Sequence, residues 1–220
     1  MYFLNEGFII NQKDIFYNKE KFDSNKINIC FITGHPGSGK TSMAKKLSLE
    51  NKNIEYCELD KVITNWDLSE KDLKENGDLI YSFFNGVGKE FRYTNKKDWD
   101  NDKKWDNRNE FIDGYEALLT KKFIKYSIFY AKKHKEKKFI IEGIWIFLFC
   151  EPNEFDDYAF FIKGTSLLIS KIRAAKRDSV DCENYNRIGV LFSILNEEWK
   201  NYFLNEKKVL KFYNYFYKKI

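Results

Sequence analysis

The sequence predicts an α/β fold in which a parallel sheet is covered by helices on both faces. Short apolar runs rich in β-branched and aromatic residues alternate with longer segments whose apolar residues recur every three or four positions. This alternation is typical of parallel sheets, because each parallel connection crosses over the sheet, usually as a helix. A length of 220 residues with 43% hydrophobic residues fits one domain with a substantial core. We therefore expect a single domain over residues 1–220.

Four buried strands and the helices between them are predicted in order along the chain. The strands are expected at residues 27–32, 54–60, 139–143 and 158–162. A helix is expected from Lys40, and the three- and four-residue spacing of apolar residues over 111–130 predicts a long amphipathic helix. Residues 1–26 are expected to add a strand or two. The tail from residue 184 is expected to pack helically against the sheet, with a dimer surface as the alternative.

Composition excludes several classes of protein. The net charge of +5, with both signs interspersed, permits a nucleic acid partner but does not favour one. The longest apolar stretch, 140–150, contains Glu142 and is too short to cross a bilayer, and the first ten residues lack a secretory pattern. The four cysteines show no metal-ligand spacing, which indicates reduced, buried thiols. We expect a soluble cytoplasmic protein without a membrane partner, as a monomer or homodimer.

A glycine-rich segment carries the clearest chemistry. The run from Gly34 to Thr41 fits G-x-x-x-x-G-K-[ST], with a predicted strand before it and a predicted helix after it. Glycines let backbone N–H groups surround a phosphate, Lys40 reaches the β- and γ-phosphates, and Thr41 supplies a hydroxyl to Mg²⁺. His35 is interpreted as a loop filler and not as a base. The predicted nucleotide-binding residues are Gly34, Gly37, Ser38, Gly39, Lys40, Thr41 and Ser42.

Two acidic residues lie at the expected carboxyl ends of predicted strands. Asp60, at the expected carboxyl end of the second strand, is a candidate for accepting the proton of an acceptor hydroxyl as it attacks the γ-phosphate. A helix-cap role is the alternative, and Glu58 is a weaker rival for the base. Glu142 interrupts an apolar run, where a buried charge needs a partner, and Mg²⁺ would provide one. A solvent-facing strand end is the alternative for Glu142.

Arginine usage singles out a further pair. The chain has five arginines among 38 basic residues, and Arg173 and Arg177 lie one helical turn apart. Where any cation suffices this composition predicts lysine, so the pair indicates a need for the planar guanidinium, as in gripping γ-phosphate oxygens. A solvated basic helix face is the alternative. By the same reasoning Arg92 and Arg108 are the better candidates for contacting an acceptor.

The chain resembles the P-loop kinases of the nucleoside and nucleotide kinase type, a group with adenylate-kinase-like, shikimate-kinase-like and zeta-toxin-like members. The segments GHPGSGKTSMAKKL, ELDK, IIEG and IRAAKRD resemble, in order, their phosphate loop, acceptor-side acid, second acid and arginine-bearing lid. The resemblance implies a P-loop NTPase three-layer sandwich, an acceptor-binding insertion at 61–137 and a lid at 166–180. It also implies that ATP and Mg²⁺ are used, with Lys40, Asp60, Arg173 and Arg177 catalytic and with Thr41 and Glu142 on the metal.

The function expected from these observations is transfer of the γ-phosphoryl group of ATP to a small acceptor, with a nucleoside or nucleoside monophosphate as the first candidate. One alternative is a kinase of an amino-sugar nucleotide or of a polynucleotide 5′-hydroxyl. Another is a nucleotide-regulated binding module with slow hydrolysis. GTP is disfavoured, because Asn95-Lys96-Lys97-Asp98 matches a guanine-reading motif in letters but no apolar strand precedes it.

Overall fold

The computed structural model describes residues 13–49, 53–64, 69–92, 108–164 and 199–220. Within these residues the strands form one sheet: β1 (Ile15–Tyr17), β2 (Ile29–Gly34), β3 (Ile54–Glu58), β4 (Lys138–Glu142) and β5 (Ala159–Lys163). The spatial order is β1-β5-β2-β4-β3. All neighbouring pairs are parallel except β1 with β5, which is antiparallel at one edge.

Helices fill most of the connections between strands. The described helices are α1 (Lys19–Asp23), α2 (Lys40–Leu49), α3 (Leu59–Thr64), α4 (Glu70–Glu75), α5 (Asp78–Asn85), α6 (Lys89–Arg92), α7 (Arg108–Lys133), α8 (Trp145–Phe149) and α9 (Trp199–Tyr217), with a 3-10 helix at Pro152–Phe155.

The sheet is the middle of three layers. On one face a small apolar cluster joins α1 and α2 to the strands, through Phe22, Ala44, Cys30, Ile32 and Ile140. On the other face a larger cluster joins the strands to α3, α5, α7, α8 and α9, and its largest buried side chains include Phe31, Phe83, Phe123, Phe139, Phe147 and Phe212. Apolar side chains therefore cover both faces of the sheet. This explains why the central strands are apolar throughout and do not alternate apolar with polar residues.

The C-terminal helix α9 closes the second face. The ring of Phe160 on β5 stacks on Phe212, with centroids 5.6 Å apart, and on Phe216, with centroids 4.6 Å apart. The Tyr215 hydroxyl donates to the Asp156 carboxylate at 2.8 Å. Within the described part of the tail, residues 199–217 therefore form a helix that packs against the sheet.

Strand register brings the functional segments to one edge of the sheet. Glu142 lies opposite both Ile32 of β2 and Glu58 of β3. The Thr33 hydroxyl donates to the Gly143 carbonyl at 3.0 Å, which ties β2 to the residue after β4. The carboxyl ends of β2, β3 and β4 therefore converge where open α/β sheets bind ligands.

The predicted fold class is confirmed, with two differences in detail. The sheet is mixed, because β1 pairs with β5 in the antiparallel direction. The second strand ends at Glu58 and not at Asp60, because Leu59 begins helix α3. Leu59, Val62 and Ile63 are spaced for a helix and all three are buried.

The division of the chain stays a prediction. The proposed insertion at 61–137 covers most of α3 and all of α4, α5, α6 and α7. The proposed lid at 166–180 lies outside the described residues.

Candidate functional site

The loop between β2 and α2 has the backbone shape of a phosphate cradle. Its residues 35–39 turn tightly, with the Ser38 N–H donating to the His35 carbonyl at 3.0 Å. Gly37 and Gly39 have backbone φ angles of 77° and 92°, which residues other than glycine rarely adopt. Helix α2 begins at Lys40, so its free N–H groups and positive end face this turn.

Lys40 lies against the loop and does not extend into solvent. Its side chain is 8% exposed, and its Nζ is 3.6 Å from Oε1 of Glu142. This separation places the two charges in an ion pair but is too long for a direct hydrogen bond. An amine held loosely in this way can exchange its carboxylate partner for phosphate oxygens.

Glu142 is the centre of the polar contacts. It is fully buried at the end of β4, between β2 and β3. Its Oε2 accepts hydrogen bonds from Thr41 Oγ1 at 3.2 Å and from the Tyr56 hydroxyl at 3.1 Å. Burial raises the pKa of Glu142, and Asp60 and Glu58 add to the rise, whereas Lys40 and the Tyr56 hydrogen bond lower it.

Asp60 lies next to this centre but on a helix. It is in the first turn of α3, where a carboxylate is favoured by the positive helix end. A Cβ added to Gly143 would lie 3.0 Å from Asp60 Oδ1 and 2.8 Å from Leu59 Cβ, so the absence of a side chain at 143 lets α3 approach β4. Glu58, in contrast, pairs with Lys61 at 3.3 Å.

Tyr56 is a member of the site that the sequence analysis does not name. It precedes the end of β3 by two residues, so it shares a sheet face with Glu58. The alternation of side chains along a strand predicts that Tyr56 and Glu58 share a face. The contact of Tyr56 with Glu142 depends on β3 lying beside β4, which a single sequence does not specify.

The oxygen atoms at the loop fit Mg²⁺. Oε1 of Glu142 is buried and makes no hydrogen bond within the described residues, and the Thr41 hydroxyl is held beside Oε2. Mg²⁺ prefers oxygen ligands and is commonly bound by one or two carboxylates together with substrate phosphates. No group of three or more His, Cys, Asp or Glu able to hold a metal occurs in the described part of the chain.

The remaining predicted residues are distributed as follows. Ser38 is buried, and its Oγ has no hydrogen-bond partner among the described residues, whereas Ser42 is exposed on the first turn of α2. Arg173 and Arg177 lie outside the described residues, as does the 95–98 segment. Arg92 and Arg108 are placed at the end of α6 and the start of α7, without a described side chain.

Three of the four cysteines can be described. Cys30, Cys57 and Cys150 are free thiols and buried, and burial raises the pKa of each, to about 12 for Cys150. They behave as small apolar side chains, as expected. Cys182 lies outside the described residues.

None of the helices in the described ranges combines the length and the apolar character that a bilayer-crossing segment needs.

A comparison with models of protein families identifies a related family. The model of the family described as Novel STAND NTPase 3 matches residues 16–139, which is more than half of the 220 residues. The matched range contains the loop, Tyr56 and Asp60, and it ends before Glu142. No curated protein and no solved structure matches the chain.

Proposed function

We propose, from the premise that the chain belongs to the novel STAND NTPase 3 family, that it binds a nucleoside triphosphate with Mg²⁺ and cleaves the bond to the γ-phosphate. The family supports a P-loop NTPase-like domain and nucleotide binding. ATP is the proposed nucleotide, since no described feature favours guanine. The finer assignments below are proposals that the site's geometry supports.

One observation carries this proposal. Lys40 Nζ and Thr41 Oγ1 both lie against the carboxylate of Glu142, at 3.6 Å from Oε1 and 3.2 Å from Oε2. A cation, a hydroxyl and a buried carboxylate thus meet at the glycine-rich turn. These are the groups that phosphate oxygens and Mg²⁺ require at such a loop.

The proposed roles follow from these positions. The loop N–H groups and Lys40 hold the β- and γ-phosphates, with Lys40 leaving Glu142 for phosphate oxygens. Thr41 and Glu142 would hold Mg²⁺, which when bound neutralises charge that develops on the phosphates. Arg173 and Arg177 remain the proposed lid groups.

A small hydroxyl or phosphate acceptor, with a nucleoside or nucleoside monophosphate as first candidate, is the finer proposal. Asp60 supports it, because a carboxylate beside Gly143 lies close to Glu142 at the same sheet edge. In this step the acceptor oxygen forms a bond to the γ-phosphorus, and the bond to the β–γ bridging oxygen breaks. ADP leaves, and Asp60 orients the acceptor and takes its proton where the acceptor is a hydroxyl.

Hydrolysis is the second candidate, and the family match favours it. Here water is the acceptor, the γ-phosphate leaves as inorganic phosphate, and the nucleotide state controls a binding module. A slow rate and indifference to small acceptors are expected in this case.

One assay separates the two candidates. The full chain is incubated with Mg²⁺ and γ-labelled ATP, with and without a panel of nucleosides, nucleoside monophosphates, sugars, amino-sugar nucleotides and 5′-hydroxyl oligonucleotides. Lys40→Ala tests the loop, and Asp60→Asn tests the proposed base. Asp157→Asn, an exposed carboxylate just ahead of β5, is the control.

The outcomes are distinct. Label on one acceptor class, lost by about 100-fold or more in Asp60→Asn, supports the kinase. Label only in inorganic phosphate, unchanged in Asp60→Asn but lost in Lys40→Ala, supports the hydrolase. No binding of ATP by the unmodified chain would overturn both.

A further inference from the structure

The Tyr56 hydroxyl contacts the carboxylate that is central to the site. It donates to Oε2 of Glu142 at 3.1 Å, on the same oxygen that accepts from Thr41 at 3.2 Å. Lys40 Nζ lies 3.6 Å from the other carboxylate oxygen, Oε1. A fully buried carboxylate depends on such contacts, because an unpartnered charge is costly to bury.

The ring of Tyr56 is held by rigid elements. It lies opposite Ile140 in the β3–β4 register, two residues before Glu142. It packs in the cluster beneath α2, together with Met43, Leu47 and Ile54. The hydroxyl is thus fixed by a strand and a helix, and its direction toward Glu142 does not depend on a loop.

Nucleotide binding would change the other two contacts of Glu142. Lys40 is needed on the phosphates, and the Thr41 hydroxyl is needed on Mg²⁺. Neither role is available to Tyr56, which lies on the adjacent strand and not in the glycine-rich turn. Its hydrogen bond is therefore the contact to Glu142 that persists when the loop is filled.

We propose that Tyr56 is a positioning residue that holds Glu142 in the orientation needed to bind Mg²⁺ with the nucleotide. This inference rests on the proposed function, because it acts through the same carboxylate. Tyr56 itself touches neither phosphate nor metal. Groups that orient a metal-binding side chain typically change metal affinity by about 10-fold to 100-fold when removed.

The test uses the full chain and a fluorescent ATP analogue, whose binding is measured first in EDTA and then across a Mg²⁺ series. Tyr56→Phe keeps the ring and removes only the hydroxyl. We expect its affinity in EDTA to stay within about twofold of the unmodified chain. The Mg²⁺ concentration giving half of the Mg²⁺-dependent change in binding should rise by about 10-fold or more.

Tyr215→Phe is the matched control. Tyr215 lies on the C-terminal helix α9, and its hydroxyl also donates to a carboxylate, that of Asp156. Tyr215→Phe should leave both titrations unchanged. A second measurement tests whether Tyr56 acts through Glu142: in a Glu142→Gln background, Tyr56→Phe should cause no further change, since coupled residues are non-additive.

The results that overturn the proposal differ from those that overturn the function. If Tyr56→Phe matches the unmodified chain across the Mg²⁺ series, or loses affinity equally in EDTA, Tyr56 does not position Glu142. An additive effect in the Glu142→Gln background would also overturn the inference. If the unmodified chain binds the analogue without any Mg²⁺ dependence, the proposed metal site fails, and the inference fails with it.

Discussion

Thr41 and Glu142 are separated by 101 positions in the chain but are joined by a hydrogen bond of 3.2 Å. The parallel pairing of β2 with β4 is the cause, since it aligns Ile32 with Glu142 just below the glycine-rich turn. The first helical turn of α2 then places the Thr41 hydroxyl over the end of β4. The strand order therefore determines which acidic residue meets the loop.

Replacing Glu142 by glutamine should separate nucleotide binding from turnover. Glutamine keeps the size and can still accept from Tyr56, but it removes the charge that faces Lys40. We expect Mg²⁺-dependent loss of the γ-phosphate to fall by about 100-fold or more, as when one electrostatic group is removed from a site. ATP affinity in EDTA should be unchanged or higher, because Lys40 no longer faces a carboxylate at 3.6 Å.

Glu58→Gln is the control for that experiment, since Glu58 occupies the paired position on β3 but interacts with Lys61 at 3.3 Å. Phosphate release measures turnover, and equilibrium titration with ATP in EDTA measures affinity. Both are measured on Glu142→Gln and on Glu58→Gln. Full turnover by Glu142→Gln would show that this carboxylate is not part of the reaction.

Adding a methyl group at Gly143 should disturb the contact between α3 and β4. The new Cβ would lie 2.8 Å from Leu59 Cβ and 3.0 Å from Asp60 Oδ1, so the helix has to shift. We expect Gly143→Ala to lower the free energy of unfolding by about 1–3 kcal/mol, the usual range for overpacking. Urea denaturation measures this change. A variant as stable as the unmodified chain would mean that α3 adjusts without cost.

Local patterns in the sequence are sufficient to predict the fold class and the glycine-rich loop. The strand before the loop, its glycines and the helix after it are adjacent in the chain, so a single sequence specifies their relationship. The acidic interruption at Glu142 was visible for a similar reason, because a charge inside an apolar run requires a partner.

The pairing of strands that are distant in the chain cannot be predicted in the same way from a single sequence. Tyr56 became a contact of Glu142 only because β3 lies beside β4, and β1 joined the sheet only through its antiparallel pairing with β5. The sequence predicts a second strand that runs to Asp60, but the strand ends at Glu58. Burial of Leu59, Val62 and Ile63 favoured helix α3 at that point.

Removing the amide of Asn28 should weaken the junction between α7 and the sheet. Asn28 Nδ2 lies within hydrogen-bonding distance of three carbonyls in the last turn of α7 and just after it, those of Ala131 at 2.7 Å, His134 at 3.2 Å and Lys137 at 3.1 Å. Asn28→Ala leaves them without this donor, at a cost of about 1–3 kcal/mol in the free energy of unfolding.

Asn85→Ala provides the comparison for Asn28, because the Asn85 amide makes an exposed hydrogen bond to the Tyr81 carbonyl at 3.1 Å. Urea denaturation of this variant should give a change within about 0.5 kcal/mol, as for most surface substitutions. Equal losses in the two variants would argue against a special role for Asn28.

The stability of the protein should depend on pH through Glu55. Burial raises the pKa of Glu55 and Asp78 adds to the rise, whereas the hydrogen bond from the Leu79 N–H, with Lys137 and His134, lowers it. The folded chain therefore holds the Glu55 proton more tightly than the unfolded chain does. Its contribution to stability is lost as pH rises from the unfolded value, about 4.3, through the raised folded value.

The Leu79 N–H donates to Oε1 of Glu55 at 2.7 Å. A glutamine at position 55 can still accept this hydrogen bond, but it does not titrate. The free energy of unfolding of Glu55→Gln, relative to the unmodified chain, should therefore increase with pH across that window. Urea denaturation at a series of pH values measures the difference, with the exposed Glu75→Gln as control. Parallel curves for the unmodified chain and Glu55→Gln would show that the buried carboxyl does not govern this pH dependence.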